Sequence, residues 1–282
     1  MNIITVNVGQ GSLAIVRHNQ EAIIIDCRIP APDDETVAFV KEILVVSLKN
    51  HLVKGFILTG FDDDHCGVVG TAIILQKYRP DWVLYPKYFK DTDEARAVFK
   101  LIRQQEVMRQ DSMSPLRVVP VRLDKLSSRT LSGLSANFTF ELFSPHIEDM
   151  DCSNNCSIVL KLTGLGNRGF SYLITGDTER ERWETIARLF GESLRSHVLA
   201  APHHGSSNAV HPASLLHISP HTVLISAGVN SQYGHPDPSA VKVYNRVAKQ
   251  VLATNMRGGV SLLTQPGATE LTTTLIPSAD AA

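Results

Sequence analysis

Short apolar runs separated by polar loops dominate this chain. Residues 3 to 8 (Ile-Ile-Thr-Val-Asn-Val) read as a strand, Gly9-Gln10-Gly11-Ser12 as a turn, and Leu13 to Arg17 as the returning strand of a hairpin. A third strand, Ala22 to Ile25, stops at Asp26. Residues 31 to 53 hold a helix. Asp33, Asp34 and Glu35 lie at its start, where the dipole favours negative charge, and Val37, Val40, Ile43, Leu44 and Leu48 follow at helical spacing. A strand from Gly55 to Thr59, a helix from Gly67 to Lys77 and a strand from Trp82 to Tyr85 come next, and then a charged helix from Asp91 to Gln110.

The second half repeats the alternation. Strands are predicted at Phe138 to Phe143, Ile158 to Leu162, Phe170 to Thr175, Val198 to Ala201 and Thr222 to Ser226. Gly164 to Gly169 reads as a turn, helices cover Thr178 to Phe190 and Ser239 to Lys249, and one or two edge strands surround Gly258-Gly259. Strand–helix–strand order predicts a layered α/β protein. No Pro/Ser/Gly linker longer than a turn breaks it, so residues 1–282 read as one domain with a frayed tail from Pro277.

Composition narrows the class. Hydrophobic residues make up 43% and charged ones 20%, which suits a large core and excludes a disordered chain. Basic and acidic residues number 27 and 28, so any surface for nucleic acid must be local. Lys87, Lys90, Lys100, Arg103, Arg109, Arg117 and Arg122 read as a solvated face more readily than as a substrate groove. The start lacks a signal-peptide pattern and no apolar run reaches about 18 residues, so a cytoplasmic, membrane-free protein is expected. Cys27, Cys66, Cys152 and Cys156 fit reduced thiols.

The chemistry concentrates where strands end. After Thr59 the chain places Asp62, Asp63, Asp64 and His65 in succession. Like charges this close need a positive partner, and carboxylates with imidazole suit a divalent metal; an acidic surface turn is the plain alternative. Asp177, His203-His204 and the loop Asn230 to His235 also follow apolar strands. Open α/β sheets build their sites at such strand ends. Asp26 could serve the site or begin a turn. Seven of the 11 histidines (His18, His51, His146, His197, His211, His217 and His221) have no motif around them.

In order, these motifs resemble the metallo-β-lactamase superfamily, in particular the hydrolase domain of bacterial DNA-uptake (competence) channels. The family's Val-Gly-Gln-Gly start is similar to Val8–Gly11, and its Thr/Ser-His-x-Asp-x-Asp-His-x-Gly loop to Thr59–Gly67. Its Asn-rich loop is similar to Asn154–Ser157, and Thr-Gly-Asp to Thr175–Asp177. Pro-His-His-Gly-Ser is similar to Pro202–Ser206, and Tyr-Gly-His-Pro to Tyr233–Pro236.

The resemblance implies a four-layer αββα sandwich with one or two divalent ions, Mn or Zn, with Mg a further option. Asp64, His65 and one of His203 and His204 would hold one ion, Asp177 would bridge, and Asp62 would serve the other. Asp177 and Asp64, with His203 and His235, would act in catalysis. Gln10, Asn154, Ser157, Ser206 and Tyr233 would meet substrate. The family's first His is replaced by Gly60, which removes one ligand of the second ion. The implied function is a metal-dependent phosphodiesterase or nuclease acting on DNA or RNA. The alternatives are a degenerate subunit of an operon-encoded complex, such as a defence system, and a small-molecule phosphoesterase or lactonase.

Overall fold

The computed structural model describes residues 1–29, 34–88, 90–122, 131–146, 152–166, 170–267 and 271–277. Asp33, Asp151, the end of the expected turn at Gly169 and the tail after Pro277 lie outside the described residues.

The first sheet has eight strands: β1 (Asn2–Thr5), β2 (Ala14–His18), β3 (Glu21–Ile25), β4 (Leu52–Ile57), β5 (Trp82–Pro86), β6 (Arg117–Val121), β13 (Val260–Pro266) and β14 (Leu271–Pro277). Their order is β14-β13-β1-β2-β3-β4-β5-β6, parallel from β3 to β6 and antiparallel elsewhere. The second sheet has six: β7 (Phe138–Ser144), β8 (Val159–Gly164), β9 (Ser171–Ile174), β10 (Val198–Ala200), β11 (Thr222–Ile225) and β12 (Gln250–Ala253). Its order is β12-β11-β10-β9-β8-β7, with β9 to β12 parallel. Each sheet thus has a parallel block whose strand ends carry loops.

Side-chain alternation sorts the first sheet's residues between two cores. Ile3, Ala14, Val16, Ile23, Ile25, Trp82 and Leu84 face the second sheet, where the Trp82 ring meets Phe140 edge-on at 5.6 Å. Ile4, Ile15, Ala22, Ile24, Val83 and Tyr85 point the other way. There they meet α1 (Asp34–Leu48) through Val40 and Leu44, and α3 (Asp93–Arg109) through Val98 and Ile102. On the far side of the second sheet, α4 (Arg180–Phe190), α5 (Pro212–Ile218) and α6 (Pro238–Val247) supply Trp183, Ile186, Leu215 and Tyr244. The result is the expected sequence of helices, sheet, sheet and helices.

Three local expectations need correction. β6 was not expected, because Pro120 interrupts its pattern; the strand lies at a sheet edge, where a missing N–H is tolerated. α5 has seven residues, too few to show a periodicity. Residues 250–275 are not merely edge strands: β13 lies inside the first sheet between β1 and β14. The helix after the acidic loop begins as α2 (Val68–Ile73) and closes in a π turn, Ile74–Tyr78.

Candidate metal centre

The site lies where the two parallel blocks end side by side. The backbone N–H of Thr59, just past β4, donates to Asp26 Oδ1 at 2.7 Å, and its hydroxyl donates to Asp26 Oδ2 at 2.8 Å. This ties the ends of β3 and β4 together. The acidic stretch then turns tightly, with the N–H groups of His65 and Cys66 both donating to the Asp62 carbonyl. The turn is anchored from outside by Ser12 N–H to the Asp64 carbonyl (2.7 Å) and Cys27 N–H to the His65 carbonyl (2.9 Å). A Cβ at Gly11 would lie 2.6 Å from the Asp64 carbonyl oxygen, so the Gly-Gln-Gly turn can come this close only without a side chain.

The second sheet supplies the other half. Gly176 has φ +51°, and a Cβ there would sit 2.7 Å from Ser157 Oγ. That hydroxyl accepts the N–H of Asp177 at 2.9 Å, which turns the carboxylate inward. After β10, His203 and His204 both occupy the left-handed region, with φ 50° and 54°. His203 N–H donates to the Gly176 carbonyl at 3.0 Å, and Ser206 N–H to the His203 carbonyl at 2.8 Å. These bonds hold two adjacent residues in a conformation that costs non-glycine residues energy.

Asp64, His65, Asp177 and His204 each present a ligand atom, and these atoms all lie within 4.8 Å of one another. His65 Nε2 is 2.8 Å from Asp177 Oδ1; His204 Nε2 is 3.2 Å from Asp64 Oδ2 and 3.6 Å from Asp177 Oδ1. Hydrogen bonds fix both imidazoles. His65 Nδ1 faces Asp26 Oδ2 at 2.9 Å, and His204 Nδ1 faces the Ser226 carbonyl at 2.8 Å. Each Nδ1 therefore carries the proton and each Nε2 offers its lone pair. His65 Nε2, His204 Nε2 and Asp177 Oδ1 are buried and face only other members of the cluster. Two imidazole nitrogens and two carboxylates, directed towards one point, fit a divalent cation of the Zn or Mn type.

Without an ion, the same groups favour charged histidines beside ionised carboxylates, so protons compete for the place of a cation. Burial resists charging His65, but the Asp177 and Asp26 carboxylates outweigh it and hold its pKa well above the ordinary histidine value. His204 is likewise raised: burial opposes its charge, and Asp177 and Asp64 overcome that. Asp64 and Asp177 are lowered, because the histidines outweigh the burial that would raise them. Burial pushes the nearby Cys27 thiol up to about 12, and its Sγ is turned to the Gly67 carbonyl and the Thr71 hydroxyl instead of joining the cluster.

Above the cluster opens a cleft of about 480 Å³. Gln10, Arg28, Lys90, Asn154, Tyr233 and His235 are on its wall, together with His203 and Asp62. His203 Nε2 lies 3.9 Å from Asp177 Oδ2, and its ring meets that of His235 at 5.8 Å. Tyr233 is exposed and stacks on His235 at 6.1 Å. Gln10 takes the Ser231 hydroxyl on its Oε1 at 2.7 Å, and its Nε2 has no partner.

The sandwich, with both parallel blocks ending at one site, is the metallo-β-lactamase-like fold that the sequence leads one to expect. Over 95% of this chain and 100% of the other, it superposes with TM-score 0.54 and 14% identity on Igni18, a metallo hydrolase from the archaeon Ignicoccus hospitalis. A candidate zinc-dependent hydrolase of the metallo-β-lactamase superfamily from Thermotoga maritima matches over 89% and 98% of the two chains, at 10% identity and TM-score 0.40. In sequence, the chain is 29% identical over 209 residues to ComE operon protein 3 of Bacillus subtilis, covering 74% of this chain and 24% of that protein. The chain therefore spans about a quarter of that relative's length. No family model matches. Among the described residues, no helix is long and apolar enough to cross a membrane.

The expected residues divide on inspection. Asp64, His65 and Asp177 converge, and of the histidine pair it is His204 that joins them. Asp62 stands outside the cluster, its carboxylate engaged by Lys90 and by the Ser153 hydroxyl. Ser157 was expected on substrate; it is buried, and its hydroxyl holds the Asp177 N–H instead. Ser206 is buried too, capping the next turn by accepting from Asn208 N–H. Asn154 lines the cleft and donates to Glu179 at 2.8 Å. Asp26 resolves as a buried partner of His65, not a plain turn residue. Arg28 and the role of Ser226 left no signal in the sequence, and Lys90 was read with the solvated cations.

Proposed function

We propose that the chain is a metal-dependent hydrolase that cleaves phosphodiesters, with nucleic acid as the substrate class. The observation that carries this reading is the four-ligand cluster at the floor of a cleft whose walls bring Arg28, Lys90, His203 and His235 together. An uncharged lactone would have little use for Arg28 and Lys90, whereas a phosphodiester matches them. The motif likeness to DNA-uptake hydrolases points the same way.

Asp64, His65, Asp177 and His204 would hold the cation. A divalent ion there would lower the pKa of a water towards neutrality. Asp177 Oδ2, directed towards His203, is the carboxylate oxygen left to take the proton of the attacking water. His203 and His235, both on the cleft wall, would donate to the non-bridging oxygens as charge grows on them. Arg28 and Lys90 would bind the phosphate backbone, and the Tyr233 ring offers a face for a base.

The test is a panel of bis(p-nitrophenyl) phosphate, single- and double-stranded DNA and RNA, each with Mn, Mg and Zn. Metal-dependent cleavage is expected, falling by more than about 100-fold in Asp64→Ala and His65→Ala with the fold intact by circular dichroism. Full activity in those variants would overturn the site. Cleavage of the chromogenic diester without any polymer would replace nucleic acid by a small phosphodiester.

A further inference from the structure

We infer that Lys90 takes the place of a second metal ion, so that the protein works with one divalent cation and one fixed ammonium in the same cleft. The inference deepens the hydrolase reading and rests on it.

Three observations lead here. First, the space beside Asp62 is not filled from the strand end. Gly60 has no side chain, and a Cβ built on it would meet only Asp62 Oδ2, at 4.0 Å. Second, the Asp62 carboxylate is already satisfied. Lys90 Nζ engages Oδ1 and the Ser153 hydroxyl engages Oδ2, so each oxygen already has a donor and the carboxylate charge is matched by the ammonium. Asn154, on the same wall, donates its amide N–H to Glu179 at 2.8 Å and offers a cation at most a neutral oxygen. Third, among the described residues only Asp64, His65, Asp177 and His204 form a ligand group.

A dication beside Asp62 would have to displace the Lys90 ammonium or sit against it, and like charges at that range repel. Lys90 enters from beyond β5, 28 residues from its partner in sequence. Burial alone would lower its pKa, but the hydrogen bond and charge of Asp62 raise it, so it stays an ammonium across the physiological range. The pair lines the cleft that also holds the cluster, so the ammonium can reach a substrate oxygen near the cation. Lysine suits this as a compact point charge on a flexible stem.

Metal counting separates this inference from the hydrolase reading, because it does not depend on turnover. Purified protein is titrated with manganese and with zinc, and bound metal per chain is measured by elemental analysis and calorimetry. One tight equivalent is expected in the wild type and in Lys90→Ala, and none in Asp64→Ala. Gly60→His combined with Lys90→Ala is expected to gain a second equivalent. Lys90→Ala should also lose on the order of tenfold or more in kcat/KM on bis(p-nitrophenyl) phosphate, and added ethylammonium should restore part of it. Two equivalents of similar affinity in the wild type would overturn the inference, and so would an unchanged kcat/KM in Lys90→Ala. A wild type that binds no metal would instead overturn the hydrolase reading beneath it.

Discussion

Asp26 touches no part of the cleft, yet replacing it should weaken metal binding. Its carboxylate accepts the Thr59 N–H and hydroxyl and the His65 Nδ1–H, and it is buried at φ +55°. Asp26→Asn is the informative change, because asparagine tolerates the left-handed region where alanine would add strain. The amide keeps one acceptor for Thr59 but turns its NH₂ towards His65, which loses the acceptor that directs its Nε2 lone pair to the cation. Loss of such a supporting partner typically costs about 10–100-fold in affinity, or about 1.4–2.8 kcal/mol. An opposing effect exists, since removing a neighbouring carboxylate also lowers the His65 pKa and eases proton competition. The net loss should therefore be smallest at acid pH and grow towards alkaline pH. Competition with a chromophoric chelator across a pH series measures it. Wild-type affinity in Asp26→Asn throughout that series would refute the claim that Asp26 orients His65.

The metal-free protein should show a pH optimum of stability. His65 and His204, with raised pKa values, stabilise fully below their unfolded value of about 6.5 and lose this as pH rises through their folded values, while Asp64 and Asp177, with lowered values, stabilise above about 3.9 and lose this as pH falls. Melting curves in chelator should therefore decline from near-neutral to alkaline pH, and added manganese should reverse the decline; a steady rise without metal would contradict this. Gly70→Ala should cost about 1–3 kcal/mol, because its Cβ would lie 2.0 Å from the Cys27 carbonyl oxygen and push α2 off the strand end. That is a fall of several degrees in melting temperature, and metal affinity should drop with it because α2 follows directly from the ligand loop.

The order of strands and helices was legible because each sheet alternates in a way its neighbours reinforce. Asp64, His65 and Asp177 were named by the motif resemblance at strand-end loops, whereas the choice of His204 over His203 came only from the geometry. What escaped has a common cause. Ser226 and Lys90 meet residues 22 and 28 positions away, Arg28 is on the cleft wall, and Asp26, open in the sequence between site and turn, meets His65 39 positions on; no local pattern encodes such pairings. Ser157 and Ser206 misled in the opposite direction. Their positions beside site motifs suggested substrate contact, whereas the tight backbone turns there take up the hydroxyls as internal acceptors.

The division of the ligands between the sheets bears on how the molecule comes together. Asp64 and His65 belong to the loop after β4, while Asp177 and His204 follow β9 and β10, so neither layer alone offers more than a pair. A partly folded chain with one layer formed would hold the ion weakly, and high affinity arises only once the layers dock. Ion capture by this cluster would then be a late event that locks a finished sandwich and slows its separation, not a nucleus that guides the chain towards it.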